Sequence, residues 1–261
     1  MTRKNRRNHA FLIAILVTNA SPGFTSGLVG QNTTTLARLS QQLKSSGVAT
    51  LSIGPVWENT GNTQTLYLTP NIIKTYAANH ASHALVDGEI FLGIQKNLRK
   101  KLDGQIGLAI ATTGNAYLSG DIWDDADSTF NNYDYAYKIK HTHIALKGKI
   151  LSDQAHSIIP WVSGSLGVGF NQAHHFGNTP TLSEAVVMPN FSSNTTTAFT
   201  YTVGAGFQRR LDQHWQAGIG YEFADWGKSQ LNRASGQTLN NGLSLPHLYT
   251  NGFLFNLTYA A

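Results

Sequence analysis

Apolar and polar side chains alternate along most of the chain after residue 47. In the last such segment, apolar or aromatic residues occupy the odd positions from Phe253 to Tyr259, and small or polar residues occupy the even positions apart from Leu254. A period of two is typical of β-strands, whose successive side chains point to opposite faces. Eight segments follow this pattern and are predicted to be strands: residues 51–58, 89–95, 105–110, 133–151, 162–170, 199–207, 215–223 and 249–259.

The fourth of these segments changes phase partway along its length. Its apolar residues lie at odd positions up to Ile139 and at even positions from Ile144 onward. One extra residue in a strand inverts the alternation of its side chains between the two faces. The pattern therefore predicts a β-bulge near His141 to His143.

The less apolar face of the strands distinguishes a membrane barrel from a soluble sandwich. Soluble antiparallel sheets direct charged side chains to solvent, whereas here this face carries mostly Gly, Ala, Ser, Thr and Gln. The pattern Gly-x-Gly-aromatic occurs at residues 167–170, 204–207 and 218–221. A narrow barrel with lipid outside needs small inward residues because its lumen is crowded. We therefore predict an all-β fold, an eight-stranded antiparallel up-and-down transmembrane β-barrel.

The connections between the predicted strands are alternately short and long. Outer-membrane barrels alternate in this way between periplasmic turns and extracellular loops. The short connections lie at residues 99–103, 152–154 and 209–212, and the long ones at 59–84, 119–132, 172–196 and 227–246.

Aromatic residues cluster near both predicted membrane interfaces. Outer-membrane barrels carry such girdles at the level of the lipid headgroups. Four residues are expected at the periplasmic end, Trp161, Phe207, Trp215 and Tyr259, and four at the outer end, Trp57, Tyr135, Phe199 and Phe223.

The first twenty residues form a unit of their own. Four of the 19 basic residues lie in the first seven positions, an apolar run follows, and small residues stand at Thr18 and Ala20. This is the order of a secretory signal peptide. Without these residues the net charge of +5 falls nearly to zero, so the basic balance does not indicate nucleic-acid binding. The predicted organisation is a signal peptide at 1–20, a polar leader at 21–47 and the barrel at 48–261.

Composition supports this organisation and removes several kinds of chemistry. Charged residues make up 13% of the chain, about half of the usual share of a soluble domain. No apolar run is long enough for a transmembrane helix. The chain contains no Cys, which excludes thiol nucleophiles and Cys-based zinc sites. In the leader, Leu36, Leu39 and Leu43 match one face of a short helix, and an unstructured leader stays open as the alternative.

At the closing strand the chain resembles a known family. The pattern Thr250-x-Gly252-x-x-Phe255-x-Leu257, with Tyr259 after it, is similar to the terminal assembly signal of the OmpA-like and opacity-type small outer-membrane barrels of Gram-negative bacteria. The resemblance covers residues 48–261 at the level of architecture. It implies export through the periplasm to the cell outer membrane, recognition by the barrel-assembly machinery, and contact with lipopolysaccharide and other outer-membrane lipids. It further implies a structural, adhesion or host-interaction role carried by four extracellular loops that bind a host or cell-surface ligand.

Charged residues at inward positions are the first candidates for chemistry. Isolated charges in a narrow lumen are costly, so we expect opposite charges to pair and to stiffen the barrel. A narrow ion pore that uses the same charges is the alternative. The predicted lumen network contains Glu58, Glu89, Glu222, Lys138, Lys140, Lys147 and Lys149.

The predicted loops contain weaker candidates. Oxygen ligands from Asp121, Asp124, Asp125 and Asp127 suit calcium, but their spacing lacks the glycine and final glutamate of an EF-hand loop. The pairs His80 with His83 and His174 with His175 suit a transition metal.

A lipid A-modifying barrel enzyme would need a nucleophile and a base at the outer rim, where His247, Asp225 and Ser229 are expected. No hydrolase motif accompanies them. We therefore expect no enzyme activity and no cofactor.

Overall fold

The computed structural model describes residues 45–59, 61–80, 82–99, 101–152, 157–183 and 188–261. The predicted signal peptide and nearly all of the predicted leader lie outside these residues. Among the described residues, no helix is long and apolar enough to cross a membrane. The described residues form fourteen strands: β1 (Ser46–Asn59), β2 (Gln64–Thr69), β3 (Ile72–Ala78), β4 (Ala84–Arg99), β5 (Leu102–Asp124), β6 (Asn131–Ser152), β7 (Ile159–Pro180), β8 (Phe191–Ser192), β9 (Asn194–Arg210), β10 (Trp215–Asp225), β11 (Ser229–Gln230), β12 (Asn232–Ala234), β13 (Ser244–Leu245) and β14 (Tyr249–Ala260).

Eight of these strands form a closed antiparallel ring. Around the ring the order is β1, β4, β5, β6, β7, β9, β10 and β14, so each strand pairs with the next long strand in the chain. The ring closes because β14 pairs with β1, with Phe255 opposite Ile53 and Thr258 opposite Thr50. Closure satisfies the backbone groups of every barrel strand, as a spanning structure requires. The predicted eight-stranded up-and-down barrel is confirmed.

The outer wall of the barrel is apolar over the part nearer the short connections between strands, which we call the lower part. Leu108, Leu166 and Phe255 are each more than half exposed although they lie in the middle of strands, and their neighbours at the same level are also large and apolar. We call this outward surface the apolar band. Large aliphatic side chains on the outside and polar ones inside are the reverse of a soluble domain, which identifies a membrane-spanning barrel.

The barrel has two different ends. At the turn end, where Arg99 pairs with Leu102, the connections between strands are short. A second tight turn there is held by Asp212, whose carboxylate accepts hydrogen bonds from the backbone N–H groups of His214 and Trp215, both at 2.7 Å. These hydrogen bonds hold the pKa of Asp212 below its usual range. The opposite end, which we call the loop end, carries the long connections.

The phase change in the fourth predicted strand is not a bulge in that strand. Every odd residue of β6 from Tyr133 to Leu151 is buried, so the alternation is unbroken through His141 and His143. What changes along β6 is the character of its outward face. From the turn end this face is apolar as far as Ile144, and nearer the loop end it carries the exposed residues Lys140 and Lys138. The predicted bulge near His141 to His143 was wrong. The apolar residues of β6 face outward in the membrane and inward above it, so they change from even to odd positions without any extra residue in the strand.

Bulges occur instead in the two neighbours of β6. Thr112 is opposite Thr142 and Asn115 is opposite Lys140, so β5 has one extra residue at Thr113–Gly114. In β7 the extra residue is at His175, which has a φ of 55°. A bulge reverses the side chains that follow, and it also increases the local twist of the strand.

The strands continue far above the apolar band, so the predicted loops are mostly strand. β5 reaches Asp124 and β6 begins at Asn131, which leaves only six residues between them. The predicted first loop contains the hairpin of β2 and β3, which adds to the edge of β5. A large apolar core fills this upper part and includes Tyr76, Ile122, Tyr135, Tyr137, Ile139, Phe176, Phe191, Trp226, Leu231, Leu243 and Leu248.

Most predicted girdle residues face outward, but two lie inside. Phe207 is 59% exposed, and Trp57, Trp215 and Tyr259 are each about 40% exposed. Phe199 is also exposed, and Phe223 is partly buried. Trp161 is buried in the lumen and Tyr135 in the upper core, so their assignment to the girdles was wrong. Both have the parity of the inward residues on their strands, which is the reason for the error.

Candidate functional site

A buried ion-pair cluster crosses the lumen at the level of the apolar band. Lys147 on β6 donates to both carboxylate oxygens of Glu89 on β4, at 2.7 and 2.8 Å, and to Glu222 on β10 at 2.9 Å. The strand register places all three side chains on the inward face, where the barrel diameter brings them within reach. We call these three residues the lumen cluster.

Other inward polar residues surround the lumen cluster. Asp87, which sequence analysis missed, is buried one inward position above Glu89 and interacts electrostatically with the whole lumen cluster. Its parity equals that of Glu89, so the alternation of β4 contained the signal. Lys149 turns away from the cluster: it donates to Gln208 at 2.7 Å and lies 4.3 Å from the ring centre of Trp161. Lys147 is therefore the cation that holds the carboxylates.

The predicted lumen network is smaller than expected because three of its members lie elsewhere. Lys138 and Lys140 are exposed on the outer wall, so their inward assignment was wrong. Glu58 is fully buried but apart from the lumen cluster: it accepts a hydrogen bond from the backbone N–H of Tyr117 at 3.3 Å, and His83 lies 3.6 Å from it. The wrong assignment of the two lysines follows from the misplaced bulge.

A histidine and tryptophan layer lies above the lumen cluster. His141 and His143 are fully buried on β6, and the centres of their rings lie 3.9 and 4.8 Å from the ring centre of Trp226. Asn171 contacts His141 and donates to the backbone carbonyl of Trp226 at 2.7 Å. The indole of Trp226 donates to Thr250 at 2.8 Å. The connection after β10 is thus anchored inside the barrel.

Little free volume remains in the lumen. A cavity of about 30 Å³ lies among Lys147, Lys149, Trp161 and Gln105, which is room for one or two water molecules. Above it follow the histidine and tryptophan layer and then the upper core. Buried side chains of the lumen cluster, the histidine and tryptophan layer and the upper core therefore follow one another along the described length of the lumen.

The carboxylates of the acidic segment point to different surroundings and do not converge. Asp124 is paired with Lys74 and accepts a hydrogen bond from Asn132 at 2.7 Å, while Asp125 and Asp127 are exposed in the turn after β5. Asp121 lies within β5, on its outward face. Within the described residues, no group of three or more His, Asp or Glu side chains converges to hold a metal ion. The predicted histidine ligands do not form such a group either: His174 and His175 contact each other, and no third ligand joins them or the pair of His80 and His83 among the described residues.

The candidate hydrolase residues are only partly brought together. His247 lies 2.9 Å from the carboxylate of Asp225, and its ring stacks on Tyr249. Asp225 also accepts a hydrogen bond from the backbone N–H of Gly227 at 2.8 Å. Ser229 is buried on β11, so its hydroxyl is not presented at the surface. The pair positions an imidazole but not an accessible nucleophile.

The predicted assembly signal lies on the strand that closes the ring. Phe255, Leu257 and Tyr259 face outward from β14 and are exposed. Gly252 faces inward, where an added Cβ would lie 2.3 Å from the backbone oxygen of Pro55. The close approach of β1 and β14 at this point accounts for the glycine.

Comparisons with known proteins find likeness only at the level of structure. No protein-family model and no curated protein matches the chain. Neisserial surface protein A is similar over 83% of this chain and 98% of its own, at 10% identity and a TM-score of 0.42. The outer membrane protein OprG from Pseudomonas aeruginosa is similar over 82% and 98%, at 16% identity and a TM-score of 0.41. The outer membrane protease OmpT from Escherichia coli is similar over 82% and 95%, at 9% identity and a TM-score of 0.40. The closed ladder and the apolar band themselves define the class, a membrane-spanning eight-stranded β-barrel.

Proposed function

We propose that this chain is a non-conducting surface protein of the bacterial outer membrane, of the OmpA-like and opacity type. The observation that carries the proposal is the filled barrel. The lumen cluster fills the lumen at the level of the apolar band. Above it, the connection between β10 and β14 buries Trp226, Leu231, Leu243 and Leu248. A barrel filled in this way is a scaffold, and its function belongs to the surface that it presents.

The loop end supplies that surface. The barrel strands rise well above the apolar band, and backbone contacts tie the connections together: the N–H groups of Thr238 and Leu239 both donate to the carbonyl of Leu68. Large apolar side chains at Tyr67, Phe130, Leu182 and Leu239 are exposed on four different connections. Exposed apolar groups on a rigid rim are typical of protein-binding surfaces, which supports an adhesion or host-interaction role. The signal peptide and assembly signal support export and insertion by the barrel-assembly machinery.

Planar-bilayer recording tests the proposal. Folded, purified barrels should give no stepwise conductance, because the lumen cluster and the upper core each close the lumen. A variant lacking residues 228–246 loses part of the upper core and should also stay silent, since Lys147, Glu89 and Glu222 remain in place. Stepwise currents from the wild-type chain would overturn the proposal in favour of the narrow ion pore.

Mass spectrometry of lipid A separates the enzyme alternative. Lipid A from cells that express the chain should keep the acyl and phosphate pattern of control cells, because Ser229 is buried. A changed pattern that disappears in the His247→Ala variant would instead show that the pair of His247 and Asp225 is catalytic.

A further inference from the structure

A basic surface lies on the outer wall of the barrel directly above the apolar band. Lys140 is flanked across the ladder by Asn115 on β5 and Gln172 on β7. Lys138, two residues further toward the loop end, is flanked by Tyr117 and His174. Both lysines are exposed, and they share one face of β6. We call these six residues the interface patch.

The register fixes the height of the interface patch. Thr142 is opposite Phe170, which is the last large apolar residue on the outward face of β7. Lys140 occupies the next outward position, and two residues of a strand span about 7 Å. The ammonium groups of Lys140 and Lys138 are therefore within the depth of lipid headgroups, immediately beside acyl-chain-facing side chains such as Ile144 and Val168.

No described carboxylate forms an ion pair with the two lysines of the interface patch, Lys138 and Lys140. The nearest carboxylates on the same face, Asp121 and Asp134, face each other two outward positions further toward the loop end than Lys138.

We propose that the interface patch binds the phosphate groups of phosphorylated lipids in the membrane leaflet at the loop end. This inference rests on the proposed outer-membrane location, where that leaflet carries lipid A. Lys138 and Lys140 supply the charge, and His174 and Asn115, whose side chains lie 3.3 Å apart, supply hydrogen-bonding groups. Tyr117, which is 42% exposed, lies at the level where aromatic side chains meet headgroups.

The continuity of the interface patch with the apolar band favours a lipid over a free anion. A phosphate held by exposed lysines alone gains little in water because such charges are strongly screened. A lipid adds the burial of its acyl chains against Ile144, Leu146 and Phe170, so its phosphate is held at the height of the lysines. The occupant is therefore a phosphorylated lipid.

Lipid binding to the purified, folded barrel tests this assignment. Native mass spectrometry in detergent would titrate the wild type and the Lys138→Gln/Lys140→Gln variant with bis-phosphorylated lipid A. The variant should bind roughly 30-fold more weakly, as expected for the loss of two cations near a membrane surface. The wild type should show a comparable loss with lipid A whose phosphates have been removed.

The control is Lys96→Gln. Lys96 is an exposed lysine on β4 close to the turn end, at the opposite edge of the apolar band, so its variant should bind lipid A as the wild type does. A gel-mobility shift on heating would verify that each variant is folded.

Two outcomes would overturn the assignment. The first is binding of lipid A by the double variant within about threefold of the wild type, or an equal loss in the Lys96→Gln variant. The second is displacement of lipid A by millimolar inorganic phosphate, which would indicate a site for free anions. Because binding is measured on the isolated barrel, conductance by that barrel would contradict the proposed function without changing this result.

Discussion

At the scale of single residues, Lys147 controls the charge balance of the lumen. Among the residues that the structure describes, it is the one cation that bridges Glu89 and Glu222, and Asp87 lies close to all three. A buried ion pair contributes little net stability, but removal of one partner leaves the other charge buried and uncompensated. The two inward lysines of β6 therefore have unequal roles, although the sequence presents them as equivalent.

Replacement of Lys147 by Met should lower the free energy of unfolding by about 3–5 kcal/mol, because two or more buried carboxylates lose their cation. Replacement of Lys149 by Met should cost only about 1–2 kcal/mol, since it removes one hydrogen bond to Gln208 and the contact with Trp161. Urea unfolding in lipid vesicles measures both. The Lys147→Met/Glu89→Gln/Glu222→Gln variant should recover part of the loss, and equal losses for the two single variants would contradict this role of Lys147.

The indole of Trp161 lies against two of the inward glycines. A Cβ at Gly220 would lie 2.4 Å from the Trp161 ring, and a Cβ at Gly206 would lie 2.7 Å from it. The glycines of the repeated Gly-x-Gly-aromatic pattern thus provide the space that a large inward side chain needs.

The Gly220→Ala variant should be destabilised by about 1–3 kcal/mol, as is typical of overpacking. The matched control is Gly148→Ala on the outward face of β6, where the nearest atom to an added Cβ is 3.9 Å away. Its free energy of unfolding should stay within about 0.5 kcal/mol of the wild type. A Gly220→Ala variant as stable as this control would place Trp161 outside the lumen.

At the scale of elements, the barrel strands have two halves with opposite polarity. In the lower half the apolar residues face lipid, and in the upper half they face a core. In β6 the alternation of faces is unbroken, and the apolar residues change from even to odd positions. In β5 the apolar residues stay at even positions, and the bulge at Thr113–Gly114 turns them from the outside to the inside. Beyond that bulge Ala116, Leu118 and Ile122 face inward.

Deletion of Gly114 should prevent the folding of the barrel. Removal of the extra residue would turn Leu118 and Ile122 to the outside and Tyr117 to the inside, because a shift of one residue exchanges the two faces of a strand. The Gly114→Ala variant keeps the length of β5 and should fold, since an added Cβ meets only atoms at 3.7 Å or more. Heat-dependent gel mobility distinguishes folded from unfolded barrels, and a folded deletion variant would be inconsistent with the assigned bulge.

At the scale of the whole molecule, the two ends differ in the way that a vectorially inserted barrel requires. The turn end has tight connections, and the loop end carries the hairpin of β2 and β3 and the inserted connection after β10. A transmembrane barrel with long connections at one end presents that end to the exterior.

An epitope tag inserted at Gly236 should leave the barrel folded and bind antibody on intact cells. Gly236 lies in an exposed turn, and a Cβ there meets no atom within 4 Å. A tag at Lys101 in the β4–β5 turn should be detected only after the outer membrane is permeabilised. Asn178 is unsuitable, because it lies within β7 opposite Tyr135. Labelling at Lys101 on intact cells, with protection at Gly236, would reverse the orientation.

Much of the fold was accessible from the sequence because the relevant signals are local. The period of two, the small residues opposite the aromatic ones and the alternation of connection lengths all lie within single strands or turns. They predict eight strands, the lipid-facing set and the inward position of Glu89, Glu222, Lys147 and Lys149. Two of the wrong predictions have one cause: apolar residues face outward only in the lower half of the barrel strands, whereas the sequence pattern alone suggests that they do so along the full length. This is why the bulge was predicted in β6 and why Lys138 and Lys140 were predicted to face inward.

The sequence by itself determined that this chain forms a membrane-type barrel and which residues alternate between its faces, because both depend on neighbours along the strand. Only the tertiary structure decided which inward groups meet. Lys147 is 58 residues from Glu89 and 75 residues from Glu222, and their contact depends on ring closure and on the register of each strand pair. The height at which the outer wall changes from apolar to basic likewise depends on that register, because only the ladder brings Lys140 and Lys138 beside Asn115 and His174.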